Sequence, residues 1–291
     1  MPMKKNKSAI TPLKILKSIW LALKYFLSES GVDKSSILAY YSIFSSFFLL
    51  IFFSYLFAGF MGSPDSALQN VYPFSPEFFQ QIAPVFFEHA AALTAKIGDL
   101  GLFGLGVFLF MGILVFKKIV RFVNDMFFID TKRSFFIKRI KEFSLLIIVA
   151  ILIISSFLLT GLISTITTIF EKNTDMKSRI DPALVQATNG FLIKYIFPFL
   201  ITFLFFYILF KWIPEKKVGF TAALTASLFS ALLWETAKRA YTYYLVHVSL
   251  LRKMQDPIVA IILFGFWMEL TMSIMLYGAK MTYLLDKEKN A

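Results

Sequence analysis

The chain has 291 residues, of which 58% are hydrophobic and only 16% are charged, and it contains 36 phenylalanines. A water-soluble domain has no core large enough to bury so much apolar surface, so the composition excludes a soluble globule and predicts an integral membrane protein. Basic loops beside a membrane explain the net charge of +12, and no nucleic-acid partner is expected. Cysteine is absent, which excludes disulfides and cysteine metal sites; no metal or cofactor is expected.

The N-terminal segment, residues 1–34, contains a predicted amphipathic helix. Thr11 can cap this helix with Pro12 at its first position. Apolar side chains then recur at helical spacing opposite three lysines: Leu13, Leu16, Trp20 and Leu23 against Lys14, Lys17 and Lys24. Two interpretations are open: an interfacial helix on the inner leaflet with its lysines toward anionic headgroups, or an amphipathic helix docked on the bundle. No signal peptide is evident, so insertion is expected to depend on the spans themselves.

The rest of the chain predicts an all-α bundle of six transmembrane helices. The run from Ile37 to Met61 holds no charged residue or histidine, and roughly 20 such residues suffice for a helix to cross the hydrocarbon of a bilayer. No long soluble segment remains, so residues 1–291 are predicted to form a single membrane domain. The predicted spans are 37–61, 100–120, 143–170, 191–213, 218–244 and 258–285. The first outer connection, which includes SPEFFQQIAPVFFEHAAALTAKI, predicts an amphipathic helix at the outer surface.

Lysine and arginine are distributed unevenly between these connections. Most of them lie in the N-terminal segment, the second and fourth connections and the C-terminal end. An excess of positive charge in short loops marks the cytoplasmic side of a membrane. The sequence therefore predicts that both termini are cytoplasmic, which agrees with an even number of spans.

The first span begins with small and hydroxyl-bearing residues. Ala39, Ser42 and Ser46 are spaced by three and four, so they share one helical face, with Ser45 beside it. Such a face can serve close helix packing in lipid, or it can form the polar lining of a cleft. Tyr40 and Tyr41 lie near the cytoplasmic end, where amphipathic rings favour the interface.

The fifth span carries a small-residue stripe that leads to a charged cluster. Ala223, Ser227 and Ala231 recur every four residues before Glu235. At 1.5 Å per residue, Glu235 is predicted about 25 Å above the start of the span, near the outer boundary. It can pair locally with Lys238 or Arg239. The cluster is interpreted either as self-neutralised or as an anion-attracting patch, because two cations outnumber one acid.

The sixth span contains the deepest predicted charge. Glu269 lies about 16 Å from the outer end of the span, close to the bilayer midplane. An ionisable group at this depth faces protein or water, and it can either couple proton movement to substrate movement or form a structural hydrogen bond. Lys280, about 16 Å further along the axis, is too distant to pair with it. We expect Lys280 to extend to the cytoplasmic headgroups.

Four segments resemble the YihY and virulence factor BrkB family, whose members were long labelled ribonuclease BN. These segments are LAYYSIFSSFFLL, RFVNDMF, KWIPEKKVGFTAALTASLFSALLWETAKRAYTYYL and FWMELTMSIMLYGAK. The resemblance implies a six-helix bundle in the inner membrane, and it adds Asn124 to the candidate cleft-lining or packing residues. Lys280 stands where an acid is common in the family.

These features favour a membrane function over an enzyme. A nuclease needs carboxylate or histidine clusters that bind metal, and the chain has only His89 and His247, without ligand spacing. We therefore expect no catalytic residues. Small-residue helices and a midplane acid favour transport or translocation of an amphiphilic or lipid-like envelope substrate through an inter-helix cleft. The alternative is a membrane scaffold or envelope-integrity factor that does not transport. Membrane lipids are the expected partners, with anionic headgroups at the cytoplasmic face.

Overall fold

The computed structural model describes residues 12–45, 101–129, 139–145, 147–148, 151–152, 196–247 and 257–290. All regular secondary structure within these ranges is helical, as the sequence predicts. In chain order the helices are α1 (Pro12–Ser28), α2 (residues 31–45), α3 (Gly101–Met126), α4 (residues 139–145), α5 (Phe197–Trp212), α6 (Phe220–His247) and α7 (Pro257–Asn290). The predicted helix of the first outer connection lies outside the described residues, as do residues 46–61 of the first span and most of the third.

Two of these helices are long and apolar enough to cross a membrane. They cover Phe220–Leu245 in α6 and Ile261–Glu288 in α7, and α5 is a shorter apolar helix. Large apolar side chains recur every four residues along the outer surface of α6 and remain exposed: Phe220, Leu224, Leu228 and Leu232. An outward apolar stripe on a helix of this length suits contact with lipid.

α7 lies at the centre of the described bundle. It packs against α1, α3, α5 and α6, and it also bonds to α2. Its middle part is buried continuously from Ile274 to Thr282. The helix reaches Asn290, beyond the predicted end of the sixth span at residue 285. α3 likewise continues past residue 120, the predicted end of the second span, to Met126.

Small residues allow α5, α6 and α7 to approach closely. Ala223, Ser227 and Ala231, the small-residue stripe of α6, are fully buried. Opposite them, a Cβ atom added at Gly278 of α7 would overlap the Ser230 hydroxyl and the Phe210 ring. In lipid, where hydrophobic burial does not drive helix association, such close packing supplies much of the attraction. This interface is therefore tight and largely apolar.

Candidate functional site

The buried face of α2 packs toward α7. Ser35, Leu38, Ala39 and Ser42 recur at spacings of three and four, and each is less than 9% exposed. A Cβ atom added at Gly265 of α7 would lie 3.3 Å from the Ile43 side chain. The small residues predicted on the first span thus lie on the face that contacts the bundle, where they permit close helix packing.

Two polar contacts cross this α2–α7 interface. The Ser36 hydroxyl donates to Glu269 Oε1 at 2.7 Å, and the Ser273 hydroxyl donates to Ser35 Oγ at 2.8 Å. Ser35 in turn donates to the carbonyl of Val32 at 2.8 Å. Ser36 is exposed and Glu269 is half-buried, whereas Ser35 is fully buried. Glu269 therefore lies at an accessible edge of the interface and already has a hydrogen-bond donor.

The same stripe of α7 continues with two contacts to α1 and to the turn after it. The Tyr277 hydroxyl donates to the carbonyl of Ile19 at 2.9 Å. Lys280 Nζ donates to Glu29 Oε2 at 2.8 Å. Together with the two contacts to α2, these form a row of four polar contacts between α7 and the α1–α2 hairpin (residues 12–45). We call this row the polar seam; its α7 members are Glu269, Ser273, Tyr277 and Lys280.

Lys280 is fully buried, which overturns the expectation that it extends to the headgroups. Its ammonium lies 3.4 Å from the centre of the Phe128 ring, 5.1 Å from that of Tyr25 and 5.3 Å from that of Tyr283. Aromatic faces attract a desolvated cation by roughly 2 kcal/mol. Inside protein, the Glu29 carboxylate and these rings replace the water that the lysine would otherwise seek. The polar seam thus ends in an enclosed ion pair.

Backbone geometry brings these side chains around Lys280. Ser30 in the turn between α1 and α2 has φ 53°, and Phe128 just after α3 has φ 54°. Left-handed residues of this kind end helices and redirect the chain. The first places Glu29 against α7, and the second lays the Phe128 ring over the ammonium. Neither left-handed residue is itself a glycine or asparagine, although Gly31 follows Ser30 and has no room for a Cβ atom beside Phe26.

The α6 cluster predicted from sequence is a separate site. Glu235 and Lys238 form an ion pair with their nearest atoms 2.7 Å apart, and the Lys238 ammonium lies 5.0 Å from the Trp234 ring centre. Both charged side chains are largely shielded. Arg239 is exposed. Glu235 therefore pairs locally with Lys238, and this pair lies on a different helix from the polar seam.

Asn124 joins α3 to the connection between α5 and α6. Its Nδ2 donates to the Val120 carbonyl at 2.9 Å, and its Oδ1 accepts from the backbone N–H of Glu215 at 2.9 Å. The same connection is held by Lys141, which donates to the carbonyls of Ile213 and Pro214, and by Asp286, which accepts from the backbone N–H of Gly219. Asn124 is therefore fully buried, and both polar atoms of its amide are bonded to backbone groups.

The remaining candidates on α2 have different surroundings. Tyr40 is 58% exposed, so it neither packs in the bundle nor lines an interface with α7. Tyr41 is half-buried beside α3, with the Lys118 ammonium 5.5 Å from its ring centre. Ser45 is half-buried, and Ser46 lies outside the described residues. Among the first-span candidates within residues 12–45, Ala39 and Ser42 are buried in the bundle.

From the sequence, Glu269 and Lys280 were singled out on the α7 side of the seam, whereas their partners on the hairpin side were missed. Glu269 was singled out by its depth, but Ser35, Ser36, Ser273 and Glu29 were omitted. A signal was present on α7, because Glu269, Ser273, Tyr277 and Lys280 recur at spacings of four, four and three. On α2 the signal was the serine pair that precedes the predicted start of the span.

The fold and the seam define a helical membrane protein whose polar groups are gathered between helices. The chain matches the sequence profile of the family described as Virulence factor BrkB over residues 22–291. It belongs to that family, which confirms the resemblance found in its motifs.

Several relatives are named as UPF0761 membrane proteins. One from Pseudoalteromonas translucida (strain TAC 125) is 22% identical over 251 residues, covering 86% of this chain and 80% of the relative. One from Kangiella koreensis is 26% identical over 200 residues, covering 69% of this chain and 46% of the relative. One from Chromohalobacter salexigens is 21% identical over 280 residues, covering 95% of this chain and 65% of the relative. The chain thus spans less than half of the Kangiella relative. No solved structure matches the chain.

Proposed function

We propose that the protein moves an amphiphilic or lipid-like envelope substrate along the polar seam between α7 and the α1–α2 hairpin. The observation that carries this proposal is the change in solvent exposure along the seam. The Ser36–Glu269 contact is accessible, and Lys280 at the opposite end is fully buried. Polar groups between helices in lipid are placed where water or a polar headgroup reaches them. No enzymatic step is part of the proposal.

The direction of the seam follows from a proposed topology in the inner membrane. We propose six spans with both termini in the cytoplasm, supported by the excess of lysine and arginine on that side. α7 then runs from the outer side inward, so Glu269 lies nearer the outer side than Lys280, by about 16 Å along the helix axis. In this proposed orientation the Lys280–Glu29 ion pair closes the cytoplasmic end of the seam.

The absence of cysteine makes this topology directly testable. Lys132→Cys and Asp175→Cys, introduced singly, are expected to react with an impermeant maleimide from opposite sides of the membrane. Labelling of both from the same side would overturn the topology, and the seam would then need a new orientation.

A disulfide across the seam tests whether it opens. The Ser35 and Ser273 hydroxyl oxygens are hydrogen-bonded at 2.8 Å, so cysteines at these two positions would bring their sulfur atoms close enough to be tested for cross-linking. The double variant Ser35→Cys/Ser273→Cys is to be reconstituted with a fluorescent lipid analogue. We expect oxidation to stop movement of the analogue between leaflets and a reductant to restore it. The two single variants control for the loss of the hydroxyls.

A second variant separates coupling from architecture. Glu269→Gln keeps an oxygen that can accept from Ser36, so stability is expected to change little. If Glu269 couples proton movement to substrate movement, lipid movement and its pH dependence are both lost. Unchanged lipid movement in this variant would leave Glu269 with a structural role alone.

The alternative function is a membrane scaffold that does not transport. The enclosed Lys280–Glu29 pair favours it, because a desolvated ion pair surrounded by rings resists separation. If deletion of the gene produces an envelope defect, a scaffold predicts that the oxidised double variant still rescues it. The transport proposal predicts that rescue fails in the oxidised form.

A further inference from the structure

α1 presents two different faces. Ser18, Ala22 and Phe26 are buried and lie on the side of the helix that packs against α7. Five large apolar side chains occupy another face and are 41–78% exposed: Leu13, Leu16, Trp20, Leu23 and Leu27. At 100° per residue, the centres of the two faces are about 140° apart. The sequence offered docking and interfacial placement as alternatives, but the geometry allows both at once.

The exposed apolar face is held in a fixed position. Tyr277 bonds to the backbone of α1 at Ile19, and the Glu29–Lys280 ion pair secures the turn that follows. Apolar side chains that form one continuous stripe differ from scattered surface apolar residues, because a continuous patch marks an interaction site. Some partner must therefore cover this stripe, and it must suit both the apolar side chains and the charges beside them.

Two properties of α1 identify the cover as a lipid surface. Lys17 and Lys24 are exposed and lie roughly 60° to 80° from the centre of the apolar stripe, on the side away from the bundle. Basic residues that border an apolar stripe place their amines at headgroup phosphates while the stripe enters the acyl boundary. In addition, a two-residue turn connects α1 to α2, which is the start of a predicted span. α1 is therefore close to the point where the chain enters the membrane.

We propose that the outward face of α1 binds an anionic bilayer surface. A second copy of the chain is the less suitable occupant, because pairing two such faces would bring the lysine rows of both helices together. The partner is defined by its chemistry: a fluid apolar layer bordered by negative phosphates. This inference does not depend on transport, since it concerns a surface outside the polar seam.

Spin labels on the full-length protein test the depth of α1. Leu16→Cys and Trp20→Cys place a nitroxide on the stripe, and Lys17→Cys places one on the basic border. The protein is studied in nanodiscs of phosphatidylcholine with phosphatidylglycerol. We expect severalfold more collisions with oxygen than with a water-soluble nickel chelate at residues 16 and 20, and the reverse at residue 17. Equal nickel accessibility at residues 16 and 17 would overturn the proposal.

Two further measurements exclude the other occupant and test the charge. In nanodiscs that hold two copies of the protein, we expect no strong dipolar broadening between the labels at residue 16. Strong broadening would show that a second copy occupies this face and would contradict the proposal. Removing phosphatidylglycerol is expected to lower the oxygen-to-nickel ratio at residue 16. The variant Lys17→Gln/Lys24→Gln is expected to lose that dependence on anionic lipid. A ratio unaffected by both changes would contradict the anionic part of the proposal.

Discussion

The two sides of α7 are held by different forces. Toward α5 and α6, small residues and rings pack closely, and Gly278 leaves no room even for one carbon atom. Toward the α1–α2 hairpin, four polar side chains each meet one partner. In lipid, close apolar packing is retained only while shapes match, whereas polar groups can exchange a protein partner for water or a headgroup. The side of α7 that faces α5 and α6 is therefore suited to a permanent interface, and the side that faces the hairpin is suited to an interface that opens and closes.

The ion pair at the end of the polar seam is expected to give the largest effect. Glu29→Gln leaves the buried Lys280 ammonium without a carboxylate, and the free energy of unfolding should fall by about 3 kcal/mol. Lys280→Met should cost less, because methionine is of similar volume and Glu29 is 22% exposed and can reach water. Chemical unfolding in detergent, with the double variant to close the cycle, measures the coupling. Wild-type stability in Glu29→Gln would show that the pair adds nothing to the seam.

The tight side of α7 is tested by adding a single carbon. Gly278→Ala places a methyl group against Ser230 and Phe210, and is expected to destabilise the protein by about 1 to 3 kcal/mol. Gly106→Ala is the matched control, since no atom lies within 4 Å of the added carbon. There alanine should stabilise the helix by roughly 0.5 to 1 kcal/mol. Equal thermal shifts in detergent would mean that packing does not distinguish the two glycines.

Substitutions on the small-residue face of α2 are expected to destabilise the protein less than those at Gly278. Ala39→Leu inserts three carbons where the alanine is 4% exposed, and should cost about 1 to 2 kcal/mol as the helices separate. Phe44→Leu alters a side chain that is 44% exposed and should change stability little. A melting temperature lowered as much by Phe44→Leu as by Ala39→Leu would remove the assignment of this face to packing.

Single hydroxyls in the seam are expected to give the smallest effect on stability. Ser273→Ala removes one hydrogen bond to Ser35 and should cost about 0.6 kcal/mol, the average for such bonds between helices in lipid. A loss this small would support the contrast between the two sides of α7, because hydroxyl contacts that are individually weak can open one at a time. A loss above about 2 kcal/mol would instead mark Ser273 as part of a rigid network.

The sequence predicted features that belong to one helix at a time. The buried stripe of α6 follows from its spacing, and Glu269 stands out by depth, because periodicity and rise are properties of a single helix. Lys280 shows the limit of that reasoning. Its distance from the membrane boundary suggested an extended side chain, but its conformation is decided by Glu29, which lies 251 positions away in the chain. Partners across such separations have no periodic signature.

Helix ends and chain reversals were also not predicted from the sequence pattern. The turn at Ser30 and the end of α3 at Phe128 adopt left-handed backbone at residues that seldom take it. Gly31 beside Ser30 was a local signal for the first turn, whereas Phe128 has no glycine beside it. Asn124 entered through family resemblance, and its burial against the Glu215 backbone became clear only in three dimensions.

The seam also sets an order of events during biosynthesis. Each of its four contacts joins residues between 233 and 258 positions apart, so the first helices made must wait for the last one. Chains are synthesised from the N terminus at roughly 5 to 20 residues per second, so α1 and α2 emerge many seconds before α7. During that interval Glu29 lacks Lys280, whereas Ser35 and Ser36 can donate to the carbonyl of Val32 in their own helix. A nascent chain stalled before α7 therefore presents the Glu29 carboxylate without the ammonium that neutralises it in the finished bundle.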